Sequence, residues 1–440
     1  MVKIPTKWLA LCGGALLTAA TAAYAQDSSA LIDVLVRKGI ITDQEAIDIK
    51  TDLQRDAGAT PAGKINLAST TTEFRIAGDI RARYEERSGE NDTGDHQERG
   101  RFRYRFRLGF TGKLSDNFFY GARLESSTGS RSANVTMGDD AGPWAKNSDA
   151  LNIGQVYVGW TPNANWTLTV GRMPNPLVTT SMVWDGDINP EGIAEQWKMH
   201  EGTMDYFVNL GQFLYGTAGS QNVFGSTPTN KDVYLFAWQG GAKIGLANGQ
   251  SIQVAPTLYN YVNTDQSTNP TPFKGTFTAA NMTGINNLFV LEIPVEYGFK
   301  IADTASKVFG DFTYNFEGKD RARKWGRPDL DGENIGWQLG FQYGKAANKG
   351  EWDAKAFYQS VGAFALDANL VDSDLFDSRT NMEGWVVQGN YAIGNATQVG
   401  LTVAKGKRKD SSIIAPGSGD IGTGALNDYW LGQLDLNVKF

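Results

Sequence analysis

The sequence predicts an all-β chain: a transmembrane antiparallel β-barrel of about 16 strands, preceded by a short N-terminal helical segment on the periplasmic side. Three observations carry this prediction. From about Thr72 to Phe440 the apolar side chains recur with a period of two, connections alternate between short and long, and no run of eighteen apolar residues follows the first thirty. The first marks strands, and the second separates a membrane barrel from a soluble sandwich. The third excludes helical membrane spans.

Composition agrees. The 440 residues include 51 Gly, 16 Tyr, 22 Phe and 12 Trp, a glycine share about one and a half times the usual ~7%. Cys12 is the single cysteine and the histidines are His96 and His200, so Cys/His metal clusters and thiol chemistry are excluded and a histidine triad has two candidates without a local motif. No enzyme is expected. The acidic balance also argues against nucleic-acid binding, which needs a cationic footprint.

Residues 1–25 read as a signal peptide. Lys3 and Lys7 precede an apolar run from Trp8 to Ala23, and Ala23-Tyr24-Ala25 supplies a small-residue cleavage site. Cys12 as a lipoprotein cysteine is disfavoured, because Leu11 before it is too large for that site. Cleavage leaves 39 basic against 48 acidic groups, a formal charge of −9. Residues 26–60 form a helical segment and linker: Leu31, Ile32, Leu35 and Val36 mark one apolar face, and Thr42-Asp43-Gln44-Glu45 is a capping-box pattern opening a second helix. Residues 61–440 are the barrel.

Within it, Arg101-Phe102-Arg103-Tyr104-Arg105-Phe106-Arg107-Leu108 alternates most strictly, and the segments around 74–84, 291–300, 337–343 and 434–440 repeat the pattern. One such strand would suit a sandwich, but the repetition with alternating connections does not. Short connections lie at 115–117, 162–165, 247–249 and 394–395, and long ones at about 87–98, 130–150, 173–193, 216–231, 263–285, 317–332, 363–381 and 409–426. Lipid cannot satisfy backbone amides, so such a sheet must close. About 24 residues remain per strand and connection, the proportion of porin-size barrels.

The segment Leu31–Thr42, the Arg-rich second strand and Gly171-Arg172-Met173-Pro174-Asn175-Pro176 leading to Trp184-Asp185-Gly186-Asp187-Ile188-Asn189-Pro190-Glu191-Gly192 together resemble the bacterial putative porin family, and more distantly the phosphate-selective porins. The resemblance implies a bacterial outer-membrane location and passive diffusion of small hydrophilic solutes or ions. It also implies a homotrimer by analogy with general porins, in contact with outer-membrane lipids and lipopolysaccharide. It assigns no cofactor.

If the aromatics face lipid, Arg75, Arg81, Arg83, Arg101, Arg103, Arg105, Arg107 and Arg123 face the lumen as one basic wall, only partly offset by Asp79, Glu85 and Glu125 as cross-strand partners. Residues 173–194 follow the fifth strand, the position of an inward constriction loop, which sets Asp185, Asp187 and Glu191 opposite that wall. Opposed charges across a narrow gap would make a transverse field that sorts ions. Asp185, Asp187, Asn189 and Glu191 also resemble the start of a calcium loop, but the remainder is missing and no metal is assigned; the alternative to the constriction loop is an ordinary outward loop with Asn-Pro turn chemistry. Further acids, Asp329, Asp331, Glu333, Asp372, Asp374 and Asp377, read as solvated loop tips. Phe440 after an alternating strand looks like the terminal insertion signal of outer-membrane barrels. The competing function is a non-conducting structural or adhesin barrel; the lumen glycines Gly109, Gly121, Gly336 and Gly340 argue against it by leaving space.

Overall fold

The computed structural model describes residues 32, 35–38, 41–42 and 44–49, and then 67–91, 94–127, 132–138, 150–217, 231–263, 285–415, 421 and 426–440. The expected signal peptide, residues 1–25, lies outside the described residues. The chain divides into two compact units, Met1–Ser69 and Thr70–Phe440.

In the first unit, residues 35–37 and 44–49 are helical. The Thr42 N–H donates to Glu45 Oε2 at 2.8 Å and the Glu45 N–H donates to Thr42 Oγ1 at 3.2 Å, the reciprocal capping box that its sequence predicts.

The second unit is one antiparallel sheet. Its strands are β1 (Thr71–Asn91), β2 (His96–Leu114), β3 (Phe118–Ser127), β4 (Val135–Thr136), β5 (Ala150–Trp160), β6 (Trp166–Arg172), β7 (Glu191–Glu201), β8 (Met204–Gly216) and β9 (Val233–Gly245). They continue as β10 (Ser251–Val254), β11 (Thr257–Val262), β12 (Phe289–Ile301), β13 (Thr304–Asn315), β14 (Ile335–Gly344), β15 (Trp352–Val361), β16 (Met382–Ala392), β17 (Thr397–Arg408) and β18 (Leu426–Lys439). Neighbours in sequence pair along the wall, and β18 pairs with β1, with Asp79 opposite Lys439 and Arg83 opposite Asp435, so the sheet closes. β4 is a two-residue bridge to β2. β10 and β11 are two halves of one strand, since both lie between β9 and β12. The wall therefore has sixteen strands.

The interruption between β10 and β11 has a sequence cause. Pro256 offers no N–H, and its neighbour Ala255 donates to the carbonyl of Pro294 at 3.2 Å, a second residue without a donor on the facing strand; two missing donors break the ladder. Turns use residues that tolerate the left-handed region, such as Asp116 at φ 67° and Asn117 at φ 64°. The first long connection is shorter than its sequence suggests. β1 and β2 continue pairing out to Glu90 opposite His96, because backbone pairing requires no apolar side chains.

The side chains are distributed as lipid demands. Phe102 is 60% exposed, Trp385 59% and Leu339 58%, while Glu85 is 0% and Arg87 1% exposed. Apolar groups outside and charges inside invert the pattern of a soluble sandwich. At the closing seam, the Gly78 N–H donates to the Phe440 carbonyl at 2.8 Å and the Phe440 N–H donates back at 3.0 Å. A Cβ on Gly78 would meet the Phe440 ring at 2.5 Å, so the glycine makes room for that ring.

The apolar core is inside the barrel and is supplied by loops. Met182, Val183 and Trp184 from the 173–190 connection, with Leu366 and Leu370 from the 362–381 connection, pack on Phe213, Leu235, Tyr259 and Val290 of the wall. A helix α1 (Gly318–Lys324) carries Ala322, which packs with Trp325, Phe364 and Ile413 in a separate cluster.

Candidate functional site

Among the described residues, the connections 173–190 and 362–381 turn into the barrel and meet there. The first leaves the wall between Gly171 (φ 126°) and Gly192 (φ 150°), which face each other in register. A Cβ would meet the Val156 carbonyl at 2.3 Å from Gly171 and the Gln212 carbonyl at 2.1 Å from Gly192; only glycine allows the chain to depart and return there. The loop is then tied to the far wall. The Val178 N–H donates to Gln239 Oε1 at 2.9 Å, Thr179 Oγ1 to Glu292 at 2.6 Å and Thr180 Oγ1 to Asp311 at 2.5 Å. Trp184 packs edge-on against Phe213, centroids 6.2 Å apart, with Tyr259 at 6.4 Å.

The second connection, residues 362–381, meets the first. The Asp185 N–H donates to the Leu370 carbonyl at 2.6 Å and the Asp372 N–H to the Ser181 carbonyl at 3.2 Å. The Ser373 N–H donates to Asp185 Oδ2 at 2.9 Å. Asp185 is thus a buried clasp between two loops rather than a charge facing the wall.

The arginines of β1 and β2 are stacked in register: Arg81 lies opposite Arg105 and Arg83 opposite Arg103. Facing like charges repel, so carboxylates must intervene. Arg83 forks onto Asp435 at 2.6 and 2.9 Å and reaches Asp374 at 2.7 Å. Glu85 accepts from Arg87 at 2.9 Å and from Arg101 at 2.6 Å, and Arg103 lies 3.6 Å from it. Asp79 bridges Arg105 at 2.8 Å and Arg107 at 2.7 Å. Arg81 donates to Asn437 at 2.9 Å, and Arg123 lies 2.8 Å from Glu125. Arg75 stands apart from this cluster, its side chain 71% exposed beside Glu73.

Asp187 reaches the wall, 3.6 Å from Arg107 and 3.8 Å from Arg105. Glu191 does not. It opens β7 opposite Arg172, which pairs in turn with Val156, and Val156 is 53% exposed on the outward face. Glu191 accepts from Arg172 Nε at 2.6 Å, so this pair belongs to the barrel's exterior. Register decides this: once Gly192 restores the wall, the parity of the strand turns Glu191 outward.

Several participants were not legible as such. Asp374 and Asp377, read as solvated tips, contact Arg87 at 2.9 and 3.6 Å, and Asp435 comes from the last strand. These three carboxylates reduce the positive surplus that the sequence suggests. Arg87, 1% exposed, joins the wall because β1 extends to Asn91, past the point where its sequence pattern breaks. Gly121, Gly336 and Gly340 do not open space: a Cβ would meet the Tyr157 ring at 2.3 Å, Thr313 Oγ1 at 2.6 Å and the Phe309 ring at 2.4 Å respectively. Neighbouring side chains fill those gaps. His96 and His200 are exposed, bonded to Glu98 at 2.9 Å and Asp205 at 2.7 Å.

The inward 362–381 loop holds two aspartates of opposite character. Burial, with the Asp185 and Asp374 carboxylates nearby, pushes the Asp372 carboxyl up to about 8. Burial would also raise Asp374, but Arg83 and Arg87 outweigh it and hold that carboxyl well below the usual range.

A family model matches at this point. It is described as putative porin and spans residues 92–292, from the connection between β1 and β2 through the inward loop to β12. Among solved structures, an anion-selective porin from Comamonas acidovorans is 11% identical, with 84% of this chain and 99% of that one covered and a TM-score of 0.46. A variant porin of Rhodopseudomonas blastica is 10% identical, with 84% and 100% covered and a TM-score of 0.42. No curated protein sequence matches the chain.

Proposed function

We propose that this protein is an outer-membrane porin, a passive diffusion channel for small hydrophilic solutes and ions, with an Arg-lined interior narrowed by the 173–190 loop. The observation that carries the reading is Asp187 on that loop facing Arg105 and Arg107 on the wall. The side chains of Asp187 and Arg107 remain 20% and 21% exposed, so they meet the interior solvent. A carboxylate opposite guanidinium groups gives a transverse field that draws anions to one side and cations to the other. The family match over residues 92–292 supports the same reading. In the membrane the apolar belt would contact lipids and lipopolysaccharide, three copies would form the working unit, residues 1–25 would be removed on export, and Phe440 would serve insertion at the closing seam.

A second reading, a non-conducting structural or adhesin barrel, draws on the complete burial of Glu85 and the apolar cluster inside the wall. Planar-bilayer recording of the purified protein separates the two. Stable stepwise conductance supports the porin, and an inserted but silent barrel would replace it with the second reading.

A further inference from the structure

On the side of the barrel away from the arginines, a cavity of about 260 Å³ lies between the inward loop and the wall, just below the roughly 300 Å³ at which pockets for drug-sized ligands begin. Two lysines face it. Lys307 is satisfied by Glu296 at 2.6 Å. Lys355 is not: its ammonium lies 5.0 Å from the Phe309 ring centroid and 4.8 Å from that of Phe357, and among the described residues no carboxylate lies within 4 Å of it. On the same lining, further along the wall where it pairs with Gln359, Gln338 is 5% exposed and its Oε1 has no hydrogen-bond partner. Thr179 and Ser181 of the inward loop complete the rim.

A buried polar atom without a partner is costly, and an ammonium held against rings retains its hydrogen-bonding capacity for a ligand. The two groups differ in kind. Lys355 offers a positive charge and donors, which suit a carboxylate; the Gln338 oxygen offers an acceptor, which suits a hydroxyl. Phe309 on the lining supplies an apolar wall for a short carbon stem.

We propose that this cavity is a binding site for small hydroxycarboxylates, with Lys355 taking the carboxylate and Gln338 the hydroxyl. The inference rests on the channel reading only in that solute reaches the pocket through the barrel interior. A porin with such a site would retain and pass these anions in preference to inorganic anions at low concentration, with flux that saturates.

Isothermal titration calorimetry on the full-length protein in detergent reads occupancy whether or not the barrel conducts. Sodium lactate should bind saturably, and at least about tenfold more tightly than propionate or inorganic phosphate, since a lost charge-assisted or buried hydrogen bond typically costs that much. Lys355→Met should weaken lactate at least about tenfold while Lys355→Arg retains binding, and Gln338→Leu should reduce lactate to the affinity of propionate. Heat-modifiable migration confirms that each variant is folded. Absence of saturable heat with lactate, equal binding of phosphate or propionate, or unchanged affinity in Lys355→Met would overturn the assignment. Binding in micelles with silence in bilayers would remove the channel reading and leave the site standing.

Discussion

Replacing Asp187 by Asn removes one negative charge from the constriction and leaves Arg105 and Arg107, 3.8 and 3.6 Å away, without their partner on the loop. An ion passing at about 7 Å from that position interacts with the lost charge by ~0.6 kcal/mol in water. At 0.1 M salt the ~10 Å screening length reduces this to about 0.3 kcal/mol. Anions gain what cations lose, so the permeability ratio should move toward anions by about threefold. At 1 M, where screening acts over ~3 Å, the shift should vanish. Reversal potentials across a salt gradient provide the measurement. Glu191→Gln is the matched control: Glu191 sits outside the barrel on Arg172, so the same loss of charge should leave selectivity unchanged. An equal shift in both variants, or none in Asp187→Asn at low salt, would show that the field across the loop does not act on permeating ions.

Neutralising the wall should act in the other direction, with Arg105→Gln and Arg107→Gln together making the pore more cation-selective by reversal potential at 0.1 M salt. Thr180→Val leaves Asp311 without its 2.5 Å donor and should loosen the inward loop at a cost of about 1–3 kcal/mol, read as increased open-channel noise and a lower unfolding temperature. The Asp372 carboxyl, raised to about 8, stabilises the loop contact in its protonated form; that contribution is complete below the ordinary aspartate range and is lost as pH rises through about 8. Chymotryptic nicking in residues 362–381 should therefore increase between pH 6 and 9, and Asp372→Asn should abolish the dependence. Gly78→Val would drive a side chain into the Phe440 ring and, like deletion of Phe440, should lower the yield of heat-modifiable barrel far more than Asp329→Asn does.

The wall was legible because membrane strands obey a local rule. Parity along β1 and β2 fixes which side chains face inward from Arg81 to Arg107. Those features require only neighbours in sequence, so the approximate number of strands and the alternation of connections could be read directly. The carboxylates that neutralise the arginines could not. Arg83 meets Asp374 across a separation of 291 residues, a contact set by the path of the second inward loop, which has no periodicity to read. Glu191 and Asp185 were misplaced for related reasons: one by the parity of a strand whose start the sequence leaves open, the other by a loop partner that only folding supplies. The glycines of the wall repeat this lesson, since a missing side chain signals space in a sequence, whereas in the folded barrel Tyr157 and Phe309 occupy it. Local periodicity determined the barrel and its inner face, and tertiary contacts between distant loops decided how much free charge and free volume remain inside.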